Sequence, residues 1–312
     1  MAGLSISYAM TITSVLNEIV NMFCDAENNS VALERVLEYT NDNPQEASWK
    51  SDPKFEPEKD WPQEGKVQLL NYETQYREGL ELVLKGITME IGKETKIGIC
   101  GRTGAGKSSL TLALFRIIEP VSGSIFVDGH DISKMGLHDL RSRLTIIPQD
   151  PILFTGSIRF NLDPTGVHNN DESLWNALEQ SSLKEHFENL GEGLEYEITE
   201  GGSNFSLGQK QLICLARAIL RKTKILVLDE ATAAIDMETD EMIQKTIRIS
   251  FKDCTVITIA HRLNTIMDSD AIAVLSNGIL IEYDKPDNLL NDQTSAFRSM
   301  FNDTLAHKNV DE

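Results

Sequence analysis

The sequence predicts an α/β fold: a parallel core sheet joined to an antiparallel β part and a helical part, with a helix in front. Three observations carry that expectation. Short apolar runs at Lys96 to Cys100, Leu144 to Ile147, Ile225 to Leu228 and Thr255 to Ile259 suit strands buried on both faces. Asp128-Gly129 follows the run Ser124 to Val127, and Asn277-Gly278 joins Ala271–Ser276 to Ile279–Tyr283, so both dipeptides predict hairpin turns with φ > 0. Helical spacing dominates the first forty or so residues and again the stretch from about 155 to 220.

The front helix rests on Ile19, Met22, Phe23 and Ala26, then Leu33, Val36 and Leu37, which recur at three- and four-residue intervals. Its first seventeen residues, MAGLSISYAMTITSVLN, carry no charge. A signal peptide would place basic residues before the apolar run and a new domain after it, whereas here the helical rhythm continues past Glu18. Gly3, Ser7 and Thr11 form a row of small residues at four-residue spacing, a pattern that lets membrane helices approach closely. The uncharged run falls a little short of the ~20 residues that span a bilayer. Between residues 41 and 65 the composition turns to Pro44, Pro53, Pro57 and Pro62 among acids and lysines, which predicts an extended connector.

The charge balance narrows the function. With 48 acidic against 29 basic residues the net charge is −19. Such a surface repels nucleic acid, and a bound anion needs a local positive pocket. The four cysteines, Cys24, Cys100, Cys214 and Cys254, lack paired spacing and read as reduced thiols of a cytosolic fold.

Gly101-Arg-Thr-Gly-Ala-Gly106-Lys107-Ser108 supplies that pocket. It matches G-x-x-x-x-G-K-[ST], follows an apolar strand and precedes a predicted helix, Ser109 to Ile118. Glycines let backbone N–H groups wrap phosphate, Lys107 neutralises its charge and the Ser108 hydroxyl suits Mg²⁺. The run Ile225 to Leu228 ends in Asp229-Glu230: the first acid is placed to support Mg²⁺, the second to act as general base toward water. His261 and Gln149 each follow another core strand, and open α/β sheets bind ligands at such strand ends. Asn204-Phe-Ser206-Leu-Gly208-Gln209 opens a helix predicted over Gln209 to Arg221, with Ser206 and Gln209 spaced as a capping box.

In that order, these motifs resemble the nucleotide-binding domain of ATP-binding cassette (ABC) transporters, a P-loop NTPase fold. Asn71-Tyr-Glu-Thr-Gln-Tyr76-Arg, Asp150-Pro-Ile-Leu-Phe-Thr-Gly-Ser and Asn204-Phe-Ser-Leu-Gly-Gln resemble the second nucleotide-binding domain of the multidrug resistance-associated (C) subfamily. The resemblance implies ATP and Mg²⁺ as ligands. Tyr76 would stack on adenine. Gly101, Arg102, Thr103, Gly104, Ala105, Gly106, Lys107, Ser108 and Ser109 would hold phosphate. Ser108, Gln149 and Asp229 would complete the metal shell, Glu230 would activate water and His261 would touch the γ-phosphate. Ala233-Ala-Ile-Asp236 resembles the loop that crosses to a partner domain. Ser206, Gly208 and Gln209 would serve the ATP of that partner, the first nucleotide-binding domain. Leu207 replaces the family's first signature glycine, a relaxation that fits the weakly hydrolysing half of such a sandwich.

By the same resemblance, residues 1–40 correspond to the end of the last transmembrane helix and its cytoplasmic extension, and 41–65 to a linker. Residues 66–305 would be the ATPase domain and 306–312 a tail. The complete transporter would be a multi-pass membrane protein with this domain on the cytoplasmic face, and the opening residues would mark a cut in it. Three readings stay open from the sequence: the ATPase of an exporter, a soluble ABC ATPase acting on ribosomes or DNA, and a truncated module that binds ATP or a partner with little turnover. The acidity disfavours the second, and the uncharged opening favours the first.

Overall fold

A computed structural model describes residues 2–167, 170–229, 236–260 and 262–308. It divides into two units, residues 1–47 and 48–312. The first unit is one helix, α1 (Ala2–Asn41), with no buried residue. Thr11 turns its hydroxyl back to the Ser7 carbonyl at 2.9 Å. No helix among the described residues is long and apolar enough to cross a membrane.

The second unit begins with β1 (Val67–Thr74), β2 (Leu84–Ile91), β3 (Lys96–Cys100), helix α2 (Lys107–Leu114), β4 (Pro120–Val127) and the short β5 (His130–Asp131). Helix α3 (Leu137–Arg141) leads into β6 (Leu144–Ile147). A helical stretch follows: β7 (Gly156–Ser157), α4 (Ile158–Leu162), α5 (Asp171–Gln180), α6 (Lys184–Asn189), β8 (Glu197–Ile198) and α7 (Leu207–Arg221). The chain returns through β9 (Ile225–Asp229), α8 (Met237–Ser250), β10 (Thr255–Ile259), β11 (Ala271–Ser276) and β12 (Ile279–Asp284). It closes with α9 (Pro286–Asn291) and α10 (Ala296–Lys308).

The core sheet runs in the order β12-β11-β3-β10-β9-β6, parallel except for the edge strand β12. Its central strands are almost wholly buried, as their unbroken apolar runs require. A second, antiparallel sheet has the order β2-β1-β4-β5. Both predicted hairpin turns form, with Asp128 at φ 46° and Gly129 at 79°, and Asn277 at 49° and Gly278 at 80°. One apolar cluster lies between the two sheets around α2, and another packs α5, α6 and α7 against the opposite face of the core sheet.

Three helix boundaries differ from the sequence expectation. Helix α2 begins at Lys107 rather than Ser109 because left-handed Gly106 swings directly into it. It ends at Leu114 rather than Ile118 because Arg116 takes φ 50°, held by a bidentate pair to Glu119 and by the Ile132 and Met135 carbonyls. Helix α7 starts at Leu207 rather than Gln209, since Ser206 is its cap.

Much of the connector is bound to the second unit. The carbonyls of Ser48 and Trp49 accept the N–H groups of Leu137 and His138, and Ser51 Oγ accepts that of Gly136, so the connector caps α3. Ser51 also donates to Asp139 Oδ2 at 2.6 Å, which holds that carboxyl below the usual carboxylate range. Trp61 is 3% exposed and donates its indole N–H to the Val127 carbonyl.

Candidate functional site

Strand β3 stops at Cys100, and Gly101 turns the chain at φ 152° with room for nothing larger: a Cβ there would lie 2.2 Å from the Leu275 carbonyl oxygen. The loop then passes through Gly104 and Gly106, both left-handed, before entering α2. No side chain caps the N-terminus of α2, and its first turn holds no acid. Its orphan N–H groups and the positive end of its dipole therefore remain available to an anion.

Lys107 is 6% exposed and donates Nζ to the Gly101 carbonyl at 2.7 Å. The ammonium thus lies inside the curl of its own loop, where it faces whatever the loop encloses. Ser108 is exposed, whereas Ser109 is buried and shares a 2.8 Å hydrogen bond with the Tyr76 hydroxyl. That bond leaves the Tyr76 ring half exposed beside the loop, fixed at its polar end.

A cavity of about 680 Å³ lies above this loop, lined by residues 103–109, Tyr76, the stretch 81–83, Lys85 and Asn277. Its size is that of a small-molecule site. One wall is aromatic, the uncapped α2 terminus offers N–H groups, and Lys85 and Lys107 outnumber the one lining carboxylate, Glu81, on a chain of net charge −19. The combination suits an elongated polyanion with a flat head.

Lys85 carries no sequence motif, and Asn277 has a sequence signal only as half of the Asn277-Gly278 hairpin turn, not as a site residue. In the fold that turn supports the phosphate loop: Gly278 donates its N–H to the Ala105 carbonyl and accepts that of Lys85. A Cβ at Gly278 would approach the Val83 carbonyl oxygen to 2.4 Å.

Sheet register brings the candidate metal residues to one end of the sheet. Asp229 pairs with Ile259, which pairs with Ile99, and Leu228 pairs with Ile147, two residues before Gln149. The donors offered are a hydroxyl, an amide oxygen and a carboxylate, an all-oxygen set that suits Mg²⁺ together with a ligand's own oxygens. Among the described residues no cluster of three His, Cys, Asp or Glu forms a separate cage. Glu230, His261 and residues 233–235 lie outside the described residues. Asp236 caps α8, accepting the Thr239 N–H at 2.9 Å, and that bond lowers its carboxyl pKa.

Ser206, Gly208 and Gln209 do not line the cavity. They form the start of α7, where Ser206 Oγ accepts the Gln209 N–H and Gln209 Oε1 accepts the Ser206 N–H. The Gln209 Nε2 lies 3.4 Å from His186 of α6.

Residues 84–233 match the family model described as ABC transporter. The chain is 56% identical over 297 residues to ATP-binding cassette sub-family C member 2 of Rattus norvegicus, covering 95% of this chain and 19% of that protein. It is 55% identical over 301 residues to multidrug resistance protein mrp-7 of Caenorhabditis elegans, covering 96% and 20% respectively. The chain therefore spans about one fifth of the length of these curated relatives. A bacterial Atm1-family ABC exporter solved with ATP bound superposes with a TM-score of 0.80 at 29% identity, covering 89% of this chain and 48% of the exporter.

Proposed function

The chain belongs to the ABC transporter family as a nucleotide-binding domain of C-subfamily type, and from that premise we propose that it is the ATPase of an exporter. The observation that carries the reading is the uncapped α2 terminus with Lys107 folded into its loop, opposite the half-exposed ring of Tyr76. ATP fits that cavity with its adenine on Tyr76 and its phosphates on the loop. Backbone N–H groups of residues 104–109 hold the phosphate oxygens, and Lys107 exchanges its carbonyl partner for the β and γ phosphates. Ser108, Gln149 and Asp229 would hold Mg²⁺, which would neutralise charge on the phosphates. Glu230 takes the proton of the attacking water, and His261 steadies the γ-phosphate.

The separation of the Ser206–Gln209 segment from this cavity supports a shared site, in which that segment closes over the nucleotide of a partner. The partner is the first nucleotide-binding domain of a full transporter, and this chain is the second. Its front helix α1 joins membrane-spanning domains that move the substrate. No partner nucleic acid is needed.

Replacing Tyr76 by alanine removes the stacking face, worth about 1–3 kcal/mol per base, and should raise the Kd for ATP ~5- to 150-fold. Tyr76→Phe keeps the face, loses only the bond to Ser109, and should stay within about threefold. Equilibrium binding of a fluorescent ATP analogue measures both.

The function itself is tested by ATPase activity and oligomeric state of the chain, with and without Glu230→Gln, alone and mixed with a first-domain partner. Turnover that appears or rises on mixing and disappears in Glu230→Gln supports the reading. ATP-independent behaviour, or turnover indifferent to Glu230, contradicts it.

A further inference from the structure

Gln211 stands out in the body of α7. It is 1% exposed, and its Nε2 donates to the Pro148 carbonyl at 3.1 Å. That carbonyl can only accept, so the amide nitrogen must face it and Oε1 is left over. Oε1 is buried and has no hydrogen-bond partner among the described residues. Folded proteins seldom keep a buried, unsatisfied oxygen where an apolar side chain would fill the space.

Pro148 immediately precedes Gln149. On the far side of Gln149 the same helix reaches the loop again: Arg217 donates Nη1 to the Ile152 carbonyl at 2.7 Å and Nη2 to Asn161 Oδ1 at 2.7 Å. Asn161 in turn accepts the Phe154 N–H and donates to the Phe154 carbonyl. Residues 149–151 are thus suspended between two attachments, Pro148 and Ile152, both made by α7. The N-terminus of that helix carries Ser206, Gly208 and Gln209.

We propose that Gln211 is a positioning residue for Gln149. Its Nε2 holds the Pro148 carbonyl, and its spare Oε1 receives an N–H of the same loop when Gln149 turns toward metal and nucleotide. The proposal rests on the reading above that Gln149 joins the Mg²⁺ shell. It ties the Mg²⁺ side of this chain's own site to the helix that faces the partner's nucleotide, so that each is set with the other.

The test is the gain in ATP affinity that Mg²⁺ confers, measured as Kd for ATP in EDTA divided by Kd in Mg²⁺, beside the melting temperature. Gln149→Ala, Gln211→Leu, Gln211→Glu and Gln211→Met are compared with wild type. Gln149→Ala, which loses the metal-side amide itself, and all three Gln211 variants, which lose the hydrogen bond to Pro148, should each cut the gain by about threefold or more. Gln211→Leu should melt near wild type, because losing the orphan oxygen offsets losing the Pro148 donor. A gain reduced by Gln149→Ala but unchanged in Gln211→Leu overturns the proposal and leaves the functional reading intact. A gain unchanged in Gln149→Ala overturns the reading of Gln149 and the proposal with it. A normal gain in Gln211→Met, or a loss in Gln211→Leu that only tracks a falling melting temperature, assigns Gln211 to packing and also overturns it.

Discussion

Replacing Lys107 by alanine should abolish ATP turnover, lowering it by about a hundredfold or more, while leaving the fold intact. The ammonium sits within its own loop on the Gly101 carbonyl, and is the one cation of the loop that is both buried and beside the α2 terminus. Removing a preorganised donor aimed at developing charge costs about 10²–10³ in rate. Binding should weaken too, since hydrogen bonds to charged groups contribute about 1.5–3 kcal/mol. Helix α2 should persist, because left-handed Gly106 starts it and its buried face of Leu110, Ala113 and Leu114 holds it. Lys107→Arg should not rescue, since a planar guanidinium neither fits a space sized for an ammonium nor presents a point charge. Steady-state ATPase kinetics and ATP binding measure the loss, and circular dichroism checks the fold.

Replacing Trp61 by alanine should cost about 3–5 kcal/mol of stability, the usual penalty for emptying a buried aromatic site. For a domain of this size that lowers the melting temperature by roughly 6–20 °C. Trp61 is buried at 3% exposure in the main apolar cluster, and its indole satisfies the Val127 carbonyl at the end of β4. Neighbouring bonds hold the same stretch: the Asp128 carboxylate accepts N–H groups from Glu64, Gly65 and Lys66, and Arg143 donates to the Lys59 carbonyl. Losing Trp61 should therefore loosen the connector as well as the cluster beneath it. Trp61→Phe should retain part of the packing and lose the indole bond. Thermal unfolding followed by circular dichroism measures both variants.

That same stretch shows where local pattern stops informing. Residues 41–65 read as an extended connector because prolines and charges block helix and strand periodicity, and indeed little regular structure forms there. The anchoring of Trp49, Ser51 and Trp61 depends on surfaces contributed by Val127 and Leu137 to Asp139, far along the chain, and no local spacing encodes it. Where the signal was a backbone requirement, it was legible. Asp128-Gly129 and Asn277-Gly278 had to turn through positive φ, and both do. The core strands were legible for a similar reason, since only burial on both faces tolerates an unbroken apolar run.

The site divides along the same line. The phosphate loop, Ser206 and Asp229 announce themselves because their chemistry needs particular residues at fixed spacing. Lys85 and Asn277 are brought to the cavity by the sheets, and Gln211 acquires interest only from the oxygen that packing leaves unpaired. Helix α2 began two residues early because the glycine that shapes the loop is also the residue that launches the helix.

If Mg²⁺ and ATP occupy the cradle between Tyr76 and the N-terminus of α2, amide hydrogen exchange compared with and without saturating MgATP reports it at the loop itself. Protection concentrated in residues 101–109, and lost in Lys107→Ala, is the predicted result. Saturating ATP binding that leaves those amides exchanging as before would contradict the account.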